Sequence, residues 1–198
     1  MPHKNSRNRA SELRPFHVYN RGARGRAIFK DDHDRREFLW MLKRHLSRAD
    51  FRDRRSRKYA RVDGVELLAF CLMTTHFHLV VWQRGPGAMD ALMHRVLAAY
   101  VRYFRRRHGG RGPLFSGPFR ARPLRTPKEF MWAIAYVHDN HPTGPGYRFS
   151  SHRAYLGADD CPPWLNAEAA LKPFGDAAAY RAYMDLKAAR AQLDAELF

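Results

Sequence analysis

The 198-residue chain reads as an α+β domain, a ferredoxin-like antiparallel sheet with helices packed on it and a helical C-terminal tail. Two patterns lead there. Short apolar or alternating segments interleave with stretches of helical apolar spacing, in the order strand–helix–strand–strand–helix–strand–helix. Gly, Pro and Thr punctuate the joints between them. Hydrophobic residues at 45% and aromatics at 13% supply enough apolar material for a core, which excludes a chain disordered throughout.

Residues 16–20 (FHVYN) alternate apolar and polar and form the first strand, ended by Arg21-Gly22. Asp31, Asp32 and Asp34 supply cap and first-turn acids for a helix to about residue 47, with Phe38, Leu39, Met41, Leu42 and Leu46 at helical spacing. Residues 67–73 and 77–82 are apolar runs joined at Thr74-Thr75-His76, an antiparallel pair. Met89, Leu92, Met93, Val96, Leu97 and Tyr100 define a second helix, whose basic extension stops at Gly109-Gly110. Residues 119–124 make the fourth strand. A third helix covers residues 128–140, with Thr126 as cap, Pro127 in its first turn, and Pro142 and Gly144 beyond its end. Residues 167–198 are Ala-rich and helical in composition, able to pack on the body or to stand apart as a lid. We divide the chain into a body, 1–157, and a tail, 158–198.

Charge narrows the function. The net charge is +17, and residues 158–198 hold seven acids against four bases, so residues 1–157 carry +20. Solubility needs only a net charge of about 2–8. Such a field is the footprint of nucleic-acid binding. Three basic stretches carry much of it: residues 21–26 (RGARGR), 52–61 (RDRRSRKYAR) and 102–111 (RYFRRRHGGR). The second reads as an exposed loop, either a solvated linker or a phosphate contact. The third joins arginines to Tyr100, Tyr103 and Phe104, rings that either stack on bases or belong to the core, with Phe104 favouring the core. Two cysteines, Cys71 and Cys161, make no disulfide framework and fit a reducing compartment. No apolar run nears the roughly 18 residues of a membrane span, and the basic N-terminus lacks an apolar signal core. A cytoplasmic, nucleoid-associated protein with no membrane partner is the expectation.

His76 and His78 flank one residue in THFHLVV. On a strand, residues two apart share a face, about 6.6–6.8 Å apart along the chain, so both imidazoles can turn toward one divalent ion. Phe77, Leu79 and Val81 then face the core. Alone the pair is a weak signal, because two partly exposed sheet histidines are commoner than a metal site. In the third helix, Phe130, Ile134, Val137 and His141 form one stripe, with Met131 and His138 beside it. Tyr136 lies off that stripe and Asn140, four residues on, shares its face. The bland reading is a surface Tyr/Asn pair. The chemical one is a nucleophile beside an oxygen ligand.

Taken in order, FHVYNRGARGRAIFKDDHDRREFL, VELLAFCLMTTHFHLVV, YVRYFRRRHGGRGPLFSGPFRA, AYVHDN and YRFSSHRAYLG resemble the REP-associated tyrosine transposases of bacteria, single-tyrosine members of the HUH superfamily. These segments cover roughly residues 15–157. The resemblance implies an HUH endonuclease fold, with His76 and His78 as metal ligands, Asn140 as the third ligand and Tyr136 as the nucleophile. It implies Mg²⁺ or Mn²⁺ as cofactor, and cleavage of single-stranded DNA beside hairpins through a 5′-phosphotyrosine. Relatives act as monomers or homodimers. The chain departs from the family at Thr74-Thr75, where Pro-Asn is usual, and at His141, where Pro is usual.

The arginines expected on the DNA backbone are Arg21, Arg24, Arg26, Arg102, Arg105, Arg106, Arg107, Arg111, Arg120 and Arg122. Two rivals stand beside the nuclease reading. One is a non-catalytic protein that binds DNA or RNA hairpins and keeps a vestigial metal site. The other is a metal-dependent hydrolase of small phosphates, which leaves the charge of the body unexplained.

Overall fold

The computed structural model describes residues 9–47, 52, 56, 58–140 and 146–196, with side chains to 189. Its strands are β1 (Pro15–Arg21), β2 (Val65–Leu72), β3 (His76–Gln83) and β4 (Arg120–Pro123). Its helices are α1 (Asp32–Leu46), α2 (Ala88–His108), α3 (Pro127–Asp139), α4 (His152–Tyr155), α5 (Ala167–Leu171) and α6 (Ala177–Glu196). The four strands form one antiparallel sheet in the order β2-β3-β1-β4, the ferredoxin-like arrangement expected.

Local chemistry sets the ends of the elements. The Asp31 carboxylate accepts the Asp34 amide at 3.0 Å and caps α1. Thr126 accepts the Glu129 amide at 3.1 Å, while the Glu129 carboxylate takes the Arg125 N–H at 2.7 Å, so both residues secure the start of α3. Gly109, at φ 66°, stops α2. After β1 the chain turns sharply at Gly22, where an added Cβ would lie 2.0 Å from the Arg26 carbonyl oxygen, so the turn needs glycine. The amides of Gly22, Ile28 and Phe29 bond the Thr74 and Thr75 carbonyls, which ties this turn to the β2–β3 hairpin.

Each face of the sheet has its own cover. The Phe77 side packs against α1 and α2: Phe38 meets Phe77 at 5.1 Å between ring centroids, and Tyr100 meets Phe38 at 5.2 Å. The other face receives α3, with Phe130 against Trp82 and Tyr136 against His78. The outer edge of β2 is closed by the chain after α3. The Leu72 amide bonds the Phe149 carbonyl, the Ser151 amide bonds that of Phe70, and the Asn166 amide bonds that of Leu67.

Of the two placements open to the tail, the structure adopts packing on the body. Ala170 and Tyr180 are fully buried and Phe174 nearly so, all within the core cluster of the domain. Of the basic segment at 52–61, residues 53–55 and 57 lie outside the described residues, as do His141, Pro142 and Gly144, while Arg52, Lys58 and Arg61 are exposed, as expected of a surface loop. Among the described residues no helix is long and apolar enough to cross a membrane.

Candidate active site

Strand alternation separates β3 cleanly. Phe77, Leu79 and Val81 are fully buried on one side, while His76 and His78 share the other with ring centroids 5.2 Å apart. Pairing then decides their neighbours. Arg21 lies opposite His76 and Tyr19 opposite His78, and on the far side of β1, Arg120 lies opposite Tyr19 and Arg122 opposite His17. One sheet face thus carries His17, Tyr19, His76, His78 and three arginines.

Helix α3 brings the remaining groups. Its core side is anchored by Phe130, Ala133, Ile134 and Val137, all buried. Tyr136, half-buried, meets His78 edge-on at 5.4 Å and His17 edge-on at 5.6 Å between centroids. Asn140 ends the helix, and its carbonyl accepts the buried Cys71 thiol at 3.0 Å. Burial pushes that thiol up to about 12, so it stays a neutral donor. The Asn140 side chain hydrogen-bonds His76, and Thr75 Oγ1 lies 3.0 Å from His76 Nδ1. Met73, Tyr136, Asp139 and Asn140 line an open hollow of about 260 Å³ here. The four residues singled out in the sequence, His76, His78, Tyr136 and Asn140, therefore meet in one place.

A third histidine joins them. His17 is buried, stacks on His78 with centroids 5.0 Å apart at 24°, and shares a hydrogen bond of 2.8 Å with it from Nε2 to Nδ1. Burial, helped by the Arg122 charge, lowers the His17 pKa to about 4. Burial, with His17 and His76 nearby, lowers that of His78 to about 3. His76 is also lowered by burial, with its hydrogen bond to Asn140 working the other way. All three imidazoles are neutral at pH 7. The bond to His17 occupies His78 Nδ1 and leaves Nε2 for a ligand or substrate. In the sequence, His17 sits inside a simple strand pattern. The usable signal was that a ferredoxin-like sheet pairs β1 with β3, which puts His17 on the face of the His-x-His pair.

No family model and no curated protein matches the chain. A solved structure does: a REP-associated tyrosine transposase bound to a REP hairpin, with a TM-score of 0.51 and 15% sequence identity over 75% of this chain and 81% of that one. The two chains share a fold. At that identity the likeness concerns architecture alone. Among the described residues no group of three or more His, Cys, Asp or Glu side chains is arranged to hold a metal ion. The donors present are two neutral imidazoles and one amide oxygen, a set that fits a divalent ion with positions left open.

The arginines fall into separate groups. Arg21, Arg120 and Arg122 are exposed on the histidine face, next to a polar cleft of about 290 Å³ lined by Tyr19, Arg21, Gly117 and Arg120. Arg102, Arg105, Arg106 and Arg107 ride α2, which packs on the opposite face, while Arg24, Arg26 and Arg111 lie in connecting turns. Arg107 is already engaged: it bonds Asp31 at 2.7 Å and buried Asp34 at 2.6 Å. Arg105 and Arg26 each donate to a carbonyl of the following loop, Gly112 and Pro113. The rings beside them resolve as core. Tyr100 is fully buried and donates to the Ile28 carbonyl at 2.6 Å, Phe104 is buried, and Tyr103 donates to Asp34 at 2.8 Å. Of the two readings open for these rings, the structure takes the packed one, with the Tyr100 and Tyr103 hydroxyls spent on α1 and the segment before it.

Proposed function

We propose that the protein is a DNA-binding, transposase-like nuclease that cuts single-stranded DNA beside hairpins, with Tyr136 as nucleophile. One observation carries the proposal: α3 sets the Tyr136 phenol against His78 and the Asn140 amide against His76, on a face flanked by Arg21, Arg120 and Arg122. The fold shared with a hairpin-bound transposase supports the same reading.

The chemistry follows from the groups in place. The arginines bind the phosphate backbone and hold the strand across the site. The Tyr136 oxygen attacks the scissile phosphorus, the bond to the 3′ oxygen breaks, and the phenolic proton is released. The products are a 5′-phosphotyrosyl link and a free 3′-OH. The phosphodiester energy is kept in that link, so rejoining to another 3′-OH needs no nucleotide cofactor. His76, His78 and Asn140 would hold a Mn²⁺ or Mg²⁺ ion, whose charge when bound stabilises the phosphate oxygens in the transition state. His17 holds the His78 ring in one orientation throughout.

The test is cleavage of a hairpin-bearing oligonucleotide with Mn²⁺ or Mg²⁺ present. His76→Ala and His78→Ala are expected to abolish cutting while DNA affinity persists, and Asn140→Ala to be milder. Cutting that survives both histidine changes, or persists in EDTA, removes the metal from the account. Hairpin binding by the wild type without any cutting favours the non-catalytic reading.

A further inference from the structure

We propose that a cavity between β4 and α3, walled by Trp132, is a nucleobase site that takes an unpaired base next to the scissile phosphate. The assignment rests on the single-stranded DNA reading above and deepens it.

The cavity is about 440 Å³, and its lining includes His17, Arg122, Lys128, Trp132 and Tyr183. Trp132 is 44% exposed, an unusual position for a large ring on a helix that buries Phe130, Ile134 and Val137. It lies one turn before Tyr136 and stacks on it, centroids 4.9 Å apart at 15°. The indole therefore touches the candidate nucleophile and the cavity at once. Arg122 and Lys128 are exposed cations at this cavity, placed to meet the phosphates on either side of a bound base. The acid in the lining, Glu129, is held by the Arg125 amide at 2.7 Å and lies 3.9 Å from Arg122. Its charge is thus directed to the start of α3 and to that arginine.

An open aromatic surface between cations is what an unpaired base needs, and stacking of this kind accepts any base because each has a π-face. The site accordingly senses that a base is present rather than which one. A base seated on Trp132 lies one residue layer from the Tyr136 ring, so it would fix the register of the strand at the point of attack.

The experiment compares wild type, Trp132→Ala and Trp132→Phe on three DNAs at one salt concentration: a bare hairpin, the hairpin with a single-stranded extension, and the same extension with abasic residues. Trp132→Ala is expected to weaken the extended hairpin by about 5- to 150-fold and leave the bare hairpin unchanged. Wild type should lose the same factor on the abasic extension, Trp132→Ala should be indifferent to it, and Trp132→Phe should keep most of the affinity. Equal binding of the extended hairpin by wild type and Trp132→Ala overturns the base site, as does an equal loss on all three DNAs. Wild type that binds none of the DNAs overturns the DNA reading itself.

Discussion

Tyr180→Phe removes one oxygen from the tail and tests whether the tail supports the helix that carries Tyr136. Tyr180 is fully buried, with its hydroxyl 2.7 Å from His138 Nδ1 and 2.5 Å from His152 Nδ1. His138 Nε2 continues to Ser151 Oγ at 2.7 Å, and that hydroxyl also accepts the Phe70 amide at 2.9 Å. The chain of bonds runs from α6 through α3 to the edge strand β2. Deleting the hydroxyl takes a partner from two buried imidazoles, each loss worth about 1–3 kcal/mol, so about 2–4 kcal/mol in all since one oxygen serves both. For a chain of this size that lowers Tm by about 4–16 °C. Urea and thermal unfolding, followed by circular dichroism, measure it. Because α3 also carries Asn140, oligonucleotide cleavage should fall as well, while the exposed arginines keep their grip on DNA. An unchanged Tm refutes the reasoning, since it would show that the hydroxyl network carries no load between tail and body.

Two further outcomes distinguish charges that bind from charges that fold. Arg122→Ala should weaken DNA binding and reduce the slope of log affinity against log salt by about 1, whereas Arg107→Ala should lower thermal stability and leave the slope nearly unchanged; the reverse pattern in a salt titration contradicts the grouping. The buried histidines give a pH signature. His17 and His78 have native pKa values of about 4 and about 3, below the unfolded value, so the unfolded chain binds more protons under about pH 6.5. Stability is then fully present above pH 6.5 and falls toward acid by up to about 1.4 kcal/mol per pH unit for each histidine. Urea unfolding between pH 6.5 and 5, above most carboxylate titration, should show that fall, and His17→Gln should flatten it. A wild-type profile with no slope in this window refutes the burial argument.

Much of the fold was legible because its signals are local. The Asp31 and Thr126 caps, the alternation around His76 and His78, and the Gly109 stop each depend on neighbours within a turn or a strand. The Tyr136–Asn140 spacing was legible for the same reason. What sequence pattern could not show is pairing across distance. His17 meets His78 only through β1–β3 register. Arg107 reads as a free cation until α2 lies beside α1 and meets Asp31 and Asp34. Tyr100 and Tyr103 share a helix with the basic cluster, and only that packing shows that their hydroxyls are used inside the fold. The tail had a helical composition without an address, because its anchor needs residues 138, 152 and 180 together. Trp132 carries no mark of its own in the sequence, and gains meaning from the stack on Tyr136.

In the proposed reaction Tyr136 attacks the phosphodiester. Tyr136→Phe deletes the attacking oxygen and leaves the ring against His78, His17 and Trp132. Protein, Mn²⁺ or Mg²⁺, and a hairpin oligonucleotide labelled at either end are run on a denaturing gel. Wild type should retain the DNA lying 3′ of the cut, joined through its 5′ phosphate, and Tyr136→Phe should retain none while binding the hairpin with wild-type affinity. A covalent adduct that persists in the Phe variant contradicts the account and places the nucleophile on another residue.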